Sequence, residues 1–191
     1  MLTVLASGAT GLGLRRCCTG VVRRQRSSAD DSAADAWRVF YAESFDSVAS
    51  YALRLTGGDG PRAEDLVHDA FLAMVRAWRD GRVDRLETGW LIVVVRQRFL
   101  NTIRATTREQ RRLRLIQGGA ATVDREMSTP IIDLLAGLPD RERAALVLRY
   151  VDDLPVAAVA DGLGLSVRAA ESLLVRAKAH LRKQRTEDRL G

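Results

Sequence analysis

Four polar residues within six positions carry the side chains best suited to chemistry in this sequence: Glu64, Asp65, His68 and Asp69. A His-Asp pair with carboxylates one helical turn away occurs in metal-dependent phosphohydrolases, where further His and Asp ligands come from other helices. The only other histidine is His180, which leaves such a site short of ligands. We therefore predict no metal, no cofactor and no catalysis, and interpret the cluster as the acidic face of a helix.

The stretch 154–183 predicts two short amphipathic helices joined by a turn. Apolar residues recur at helical spacing from Val156 to Leu163. Gly164 then suits the left-handed conformation that ends a helix, and Ser166 suits the N-cap of the next one. This is the plan of a helix-turn-helix, whose second helix enters the DNA major groove. A helical hairpin packed for stability alone is the alternative interpretation.

The second helix of this pair, which starts near Val167, has two distinct faces. Its predicted buried stripe consists of Ala170, Leu173, Leu174, Ala177 and Leu181. The residues left outward are Val167, Arg168, Glu171, Ser172, Val175 and Arg176. Because a glutamate accepts a hydrogen bond from cytosine and a valine contacts a thymine methyl group, the outward face is able to read base edges.

The basic residues are unevenly distributed along the chain. Lys and Arg exceed Asp and Glu by six overall, and residues 81–116 alone hold nine basic against three acidic side chains. A second basic cluster follows Asp161 and consists of Arg168, Arg176, Lys178, Arg182, Lys183 and Arg185. Two basic surfaces on one chain favour contact with a polyanion at two places. A solvated charged surface is the alternative for each cluster.

The sequence pattern is helical throughout, and no stretch alternates as a strand would. After a turn at residues 57–61, a helix from Ala63 to Trp78 keeps a 3.6-residue apolar repeat, and another runs from Trp90 to about Gln110. We predict an all-α protein of two small helical domains. In chain order the prediction gives a disordered N-terminal extension (1–34), a first domain (35–112), a flexible linker (113–130), a second domain (131–185) and a tail (186–191).

Several protein classes are excluded by the composition. No apolar run approaches the ~20 residues that a membrane span requires. The apolar start is followed by Arg15 and Arg16, which is the wrong charge order for a secretory signal. Cys17 and Cys18 are adjacent and lack the spacer of a redox or zinc pair. We therefore predict a reduced, cytoplasmic protein without a membrane partner.

Three further segments match a known pattern in their order and spacing. They are residues 63–71 (AEDLVHDAF), 90–104 (WLIVVVRQRFLNTIR) and 138–150 (LPDRERAALVLRY), the last followed by the predicted helix-turn-helix. Together they resemble the sigma-70 superfamily of bacterial RNA polymerase sigma factors, in particular the small extracytoplasmic-function group. The resemblance implies two helical domains, called regions 2 and 4, and a non-catalytic factor that directs core RNA polymerase to promoters and leaves after initiation.

The resemblance also implies which residues meet the polymerase. In the family the acidic helix face docks on the clamp of the largest subunit, and the matching positions here are Asp65, His68 and Asp69. His68 stands where the family usually has Gln, which keeps a hydrogen bond and would make docking sensitive to pH. A merely solvent-facing His68 is the alternative. The flap of the polymerase and an anti-sigma factor are further candidate partners.

Two sets of residues are implied as contacts to promoter DNA. Opening the minus-10 element needs a pocket for an unpaired base and a basic track for the backbone, and the candidates are Arg82, Arg85, Trp90, Arg96, Gln97, Asn101 and Arg104. Trp90 is equally suited to the core. The candidates for the duplex minus-35 element are Arg168, Glu171, Ser172 and Arg176. Many relatives have Lys, Arg and His where this chain has Glu171, Leu173 and Val175, which weakens the attraction to phosphate.

One other function fits the same pattern. The chain could be a stand-alone helix-turn-helix transcriptional regulator, whose first domain binds a protein ligand instead of polymerase. Only a sigma factor would confer specific transcription on core enzyme and become associated with the nucleoid within the holoenzyme. The two functions therefore differ in their dependence on polymerase.

Overall fold

The computed structural model describes residues 28–112 and 130–187. Within these residues the chain forms seven α-helices and no strand, which confirms the all-α prediction. The helices are α1 (Ser28–Thr56), α2 (Gly60–Arg79), α3 (Thr88–Arg112), α4 (Pro130–Ala136), α5 (Asp140–Leu146), α6 (Val156–Leu163) and α7 (Val167–Glu187). A π-helical segment at Val147–Val151 continues α5. Almost all of the predicted linker lies outside the described residues.

Helices α1, α2 and α3 pack against one another and form the N-terminal unit. Fully buried side chains from all three make its core: Val48, Ala52, Leu55, Ala70, Met74, Leu91, Val95 and Phe99. Helix α2 begins three residues before the predicted Ala63, because Asp59 caps it: the Asp59 carboxylate accepts a hydrogen bond from the Arg62 backbone N–H at 3.1 Å, and Pro61 lies in the first turn. The predicted glycine-rich turn is therefore shorter than expected.

The start of α1 differs from the prediction. Residues 28–34, which we assigned to a disordered extension, are helical. This segment contains several alanines, which have the highest helix propensity. Further along, Trp37 packs edge-on against Phe71 and stacks on Trp78. Through these aromatic contacts the N-terminal half of α1 packs against α2.

Helices α4 to α7 form the C-terminal unit, which contains the predicted helix-turn-helix. Gly164 ends α6 with a positive φ of 64°, the left-handed conformation expected there. The Ser166 hydroxyl accepts a hydrogen bond from the Ala169 backbone N–H at 3.3 Å and so caps α7. Of the predicted stripe on α7, Ala170, Leu173, Leu174 and Ala177 are buried and Leu181 is half-buried. The local prediction of this motif is thus confirmed.

The two units pack against each other. Helix α1 contacts α4 and α5, and α3 contacts α5 and α6. The sequence predicted two separate domains and gave no sign of this interface. The contact places the C-terminal part of α1 and the middle of α3 next to the C-terminal unit, so Arg96 and Arg104 of the basic surface of α3 reach its residues.

Candidate nucleic-acid interface

The acidic face of α2 is partly open to solvent. Asp65 and His68 are exposed, as is Glu64 beside them. Asp69 is half-buried and accepts a hydrogen bond from Arg98 Nη1 of α3 at 2.6 Å. Two of the three residues predicted to dock on polymerase are therefore available, and the third is tied to the neighbouring helix.

An apolar cavity of about 510 Å³ lies beside this face, between α1 and α2. Its wall includes the aromatic rings of Tyr41, Phe45 and Phe71, and Glu64 and His68 line it on the α2 side. Tyr41 and Phe45 are both partly exposed, at 41% and 37%. The acidic face and an apolar groove therefore form one continuous surface, which suits a helical partner that carries basic and apolar side chains.

The first residues predicted to contact the minus-10 element lie before and at the start of α3. Arg82 is exposed and forms a 2.7 Å ion pair with Asp80, and Arg85 is also exposed. Trp90 is half-buried and packs against the core of the N-terminal unit, so part of its surface serves the fold. The two arginines of this loop are placed to meet a polyanion from solvent.

Further along α3, three of the predicted residues form a hydrogen-bonded row. Gln97 Nε2 donates to Asn101 Oδ1 at 3.2 Å, and Arg104 Nη1 donates to the same oxygen at 3.3 Å. Arg104 Nη2 also donates to the backbone carbonyl of Asp161 in α6, at 3.0 Å. Asn101 is thus held by its neighbours, and Arg104 is shared between its own helix and the C-terminal unit.

Arg96, the remaining predicted residue, is held by the C-terminal unit as well. Its Nη1 atom lies 3.1 Å from Asp152 Oδ2. The Tyr51 hydroxyl donates to the same oxygen at 2.8 Å. Burial raises the pKa of Tyr51 well above its usual range, and the charge of Asp152 raises that pKa further. Tyr51 therefore keeps its proton and remains a donor to the carboxylate.

The outward face of α7 is as predicted. Val167, Arg168, Glu171, Ser172, Val175 and Arg176 are all exposed, with Val175 exposed at 68%. The Ser172 hydroxyl donates to the Arg168 backbone carbonyl at 3.0 Å. Arg176 lines a cavity of about 740 Å³ at the boundary between the two units. The face combines charged, polar and apolar side chains on one rigid helix, as reading of base edges requires.

His180, the other histidine of the chain, belongs to neither predicted surface. Its Nδ1 atom lies 2.6 Å from the Glu142 carboxylate, within the C-terminal unit. In the part of the chain that the structure describes, no group of three or more His, Cys, Asp or Glu side chains is arranged to hold a metal ion. The described helices also include none with both the length and the apolar character needed to cross a membrane.

A buried arginine that the sequence analysis missed joins the two units. Arg143 of α5 donates to the backbone carbonyls of Leu55, Leu135 and Leu138 at 2.7, 3.3 and 3.1 Å, and it also pairs with Asp140. Burial lowers the pKa of its guanidinium, and Asp140 opposes that effect. The sequence feature that indicates the burial of Arg143 is its position on the helix. It lies four residues before the buried Val147 and therefore on the same helix face.

Asp140 also connects the units. Its second oxygen forms a 2.7 Å ion pair with Arg62 of α2, while the first pairs with Arg143. The Arg62 guanidinium in turn lies over the Phe99 ring, 5.0 Å from its centroid. Asp140, Arg143 and Asp152 thus join the two units through polar groups, and none of the three was among the predicted site residues.

Two family models match the chain. Residues 40–109 match sigma-70 region 2, and residues 128–181 match sigma-70 region 4. Among solved structures, a co-crystal structure of the sigma factor RpoE with the anti-sigma factor NepR from Bartonella quintana is similar at 20% identity. That match covers 78% of this chain and 96% of the other, with a TM-score of 0.45. The comparison with curated proteins returned no match.

Proposed function

This chain belongs to the sigma-70 family and is a sigma factor that directs core RNA polymerase to promoters, and we propose which of its surfaces perform each step. The main support for this function is that the two matched regions coincide with the two helical units. Region 4 ends in the helix-turn-helix. Regions 2 and 4 flank an unmatched stretch at residues 110–127. That two-region organisation is the one implied for the extracytoplasmic-function group.

The exposed acidic face of α2 docks the protein on the clamp of the polymerase. Asp65 and His68 project from one rigid helix, so they can meet basic residues of a partner in a defined register. The neighbouring cavity between α1 and α2 adds apolar surface to the same contact. Asp69 acts from the edge of this face, because its carboxylate is already paired with Arg98 of α3.

The surface of α3 and its preceding loop binds the minus-10 element as a single strand. Arg82 and Arg85 are exposed and can follow the backbone, while Gln97 and Asn101 offer donors and acceptors to an unpaired base. Helix α7 reads the minus-35 duplex through Arg168, Glu171, Ser172 and Arg176, with Val175 available to a thymine methyl group. The protein positions DNA, and the polymerase performs the chemistry.

Other predictions concern partners and location. An anti-sigma factor, contact of region 4 with the polymerase flap, and association with the nucleoid in the holoenzyme stay predictions from the sequence. So does location in the cytoplasm. The alternative of a stand-alone helix-turn-helix regulator would use the same α7 face on duplex DNA, and it requires no polymerase. Transcription assays with added purified core enzyme distinguish the two functions.

The test is run-off transcription with the variant Asp65→Arg in reconstituted holoenzyme, on a promoter selected with the wild-type holoenzyme. We expect transcription to be abolished, because the substitution places a cation where a basic partner docks. Asp35→Arg is the control, since it makes the same charge change at an exposed site of α1 outside the matched region. Helical content and thermal unfolding of both variants establish that each remains folded.

The outcomes distinguish the proposals. Transcription by Asp65→Arg at the level of Asp35→Arg would contradict the docking face. Specific duplex binding by the chain alone, without any transcription from core enzyme plus the wild-type chain, would favour the stand-alone regulator. Loss of transcription in Asp65→Arg together with loss of binding to core enzyme would support the docking face on α2.

A further inference from the structure

The groove between α1 and α2 is an apolar surface that the described residues leave open. On α1 its wall follows one helix face, with Tyr41, Phe45, Ala49 and Leu53 at intervals of four residues. This row extends about 18 Å along the helix, at about 1.5 Å per residue. The Tyr41 and Phe45 side chains are 41% and 37% exposed. Partly exposed aromatic rings beside a cavity of about 510 Å³ indicate a surface that a further chain segment can cover.

The charge at this groove is negative. Among the residues that the structure describes, its lining includes the Glu64 carboxylate and no lysine or arginine. The next residue, Asp65, is exposed as well. An occupant of the groove therefore needs apolar side chains to cover the aromatic rings and cations to meet the two carboxylates.

The chain contains a segment of this chemistry ahead of α1. Residues 1–27 include five arginines and no aspartate or glutamate. Within them, residues 12–16 have the sequence LGLRR, in which two leucines are followed directly by two arginines. In an extended conformation the side chains of Leu12 and Leu14 would lie on the same side, and five residues would span about 17 Å, close to the length of the groove.

The groove lies within reach of this segment. Residues 17–27 connect the segment to Ser28, the first residue of α1, and eleven extended residues span at most about 36 Å. Tyr41 and Phe45 lie about 20 and 26 Å along α1 from Ser28. A short tether also raises the effective concentration of the segment to the millimolar range, so weak contacts are sufficient for partial occupancy.

We propose that residues 12–16 bind in the groove between α1 and α2 of the same chain, with their leucines against the aromatic rings and their arginines facing Glu64 and Asp65. Because Asp65 belongs to the face proposed for polymerase docking, the bound segment competes with core enzyme. This competition rests on the proposed function, whereas the intramolecular contact does not. A segment bound in about four of every five molecules lowers the apparent affinity for core enzyme about fivefold.

The contact is tested by paramagnetic broadening in NMR spectra of the full ¹⁵N-labelled chain without polymerase. A nitroxide is attached to Cys18, two residues after the segment, in a chain with Cys17→Ser; the sequence has no other cysteine. We expect the amide signals of Ala63 and His68, which line the groove on α2, to broaden strongly. The signal of the exposed Ala179 in α7 should stay sharp.

Charge reversal within the segment tests the electrostatic part. Arg15→Glu with Arg16→Glu should remove the broadening, because glutamates would then face the carboxylates of α2. Arg23→Glu with Arg24→Glu makes the same change in net charge outside the segment and should keep most of the broadening. In titrations with core enzyme, the first pair should bind about fivefold more tightly than the unsubstituted chain, and the second pair should change the affinity much less.

A change without charge tests the apolar part. Leu12→Ser with Leu14→Ser keeps every arginine and removes the side chains that would cover Tyr41 and Phe45. We expect this pair to reduce the broadening at Ala63 and to tighten the binding of core enzyme. Circular dichroism of all variants establishes that each keeps its helical content.

Each result decides one part of the proposal. Sharp α2 signals in the nitroxide-bearing chain, or broadening that both charge-reversal pairs retain equally, would overturn the contact. If a nitroxide-bearing chain without ¹⁵N broadens the signals of a ¹⁵N-labelled chain without nitroxide, a second copy supplies the segment and the intramolecular contact is overturned. Loss of broadening without tighter binding of core enzyme would overturn the competition. Because the NMR measurement uses neither DNA nor polymerase, its failure is distinguishable from failure of the docking face, which Asp65→Arg tests in run-off transcription.

Discussion

The acidic face of α2 and the basic surface of α3 belong to one three-helix unit and yet present their charges differently. On α2, Asp65 and His68 are exposed. On α3, Arg96 is bound by the Asp152 carboxylate and Arg104 by a carbonyl of α6. Two charged surfaces of one small unit can therefore be in opposite states: one is available for a partner, and the other is engaged by the same chain.

The physical basis of this difference is the cost of desolvation. An exposed carboxylate such as Asp65 keeps its water and needs no partner. Covering Arg96 removes water from it, so the covering unit has to supply an acceptor, and Asp152 does so. The interface combines these polar contacts with apolar ones, because buried side chains of both units belong to one core cluster. The comparison predicts that substitutions at the interface loosen the two units, whereas substitutions on exposed faces affect only intermolecular binding.

The largest expected effect on stability comes from Arg143→Met. The side chain of Arg143 is 4% exposed and donates to three backbone carbonyls besides Asp140. Its removal leaves the buried carbonyls of Leu55 and Leu138 without this donor, so we expect a loss of about 2–6 kcal/mol in the free energy of unfolding, at about 1–3 kcal/mol for each unsatisfied group. Urea denaturation followed by circular dichroism measures it.

Arg149→Met is the matched control. Arg149 is a third exposed and pairs with the almost fully exposed Asp153, so its substitution should cost less than about 1 kcal/mol. Equal losses in the two variants would contradict the distinction between interface and surface charges. A loss confined to Arg143→Met would show that the buried guanidinium stabilises the fold where the two units meet.

A smaller effect is expected from Gly57→Ala, which tests how closely the units approach each other. Gly57 has a φ of 71°, and a Cβ there would overlap the Arg143 guanidinium. Gly81 has nearly the same φ of 66° with open space around it. Gly81→Ala should cost about 1 kcal/mol for left-handed backbone strain alone. Gly57→Ala should cost about 1–2 kcal/mol more, because buried hydrogen bonds of Arg143 are displaced.

Thermal and urea unfolding of both alanine variants give the comparison. With spin labels at Asp46 of α1 and Ala179 of α7, both exposed, and with Cys17→Ser and Cys18→Ser, the distribution of distances across the interface should broaden in Gly57→Ala and stay unchanged in Gly81→Ala. Two equal destabilisations with unchanged distances would mean that α1 and α5 adjust without loss of contact. That result would weaken the view that Arg143 fixes the approach of the two units.

The sequence was sufficient for features that depend on neighbouring residues. The helix-turn-helix was predictable because Gly164 and Ser166 have local capping roles and the apolar stripe of α7 repeats every turn. The exposure of Asp65 and His68 followed from the same periodicity on α2. At Asp59, the capping residue of α2, and at residues 28–34, local signals for a helix start were present in the sequence, although the predicted helices began later in the chain.

The interface between the units was not predictable from such patterns. Arg96 and Asp152 are separated by 56 positions, and Leu55 and Arg143 by 88. Nothing in the periodicity of either segment specifies its partner. An arginine on the inner face of a helix and an aspartate beside another aspartate each have many possible environments. Only the packing of α1 and α3 against α5 and α6 selects one of them.

The smallest expected effect concerns an exposed arginine that the interface leaves available. Arg82 has a side chain 66% exposed in an ion pair with Asp80, so Arg82→Ala should change the free energy of unfolding by less than about 0.5 kcal/mol. For holoenzyme binding to a single-stranded minus-10 oligonucleotide from a selected promoter, the slope of log affinity against log salt should become shallower by about 0.7, the value for one phosphate contact.

Arg38→Ala is the control. It removes an equally exposed arginine paired with Asp35 on α1 and should leave the slope unchanged. Equal slopes for Arg82→Ala and the wild type would remove Arg82 from the DNA surface, and an equal reduction by Arg38→Ala would mean that net charge, rather than position on the loop before α3, determines the attraction.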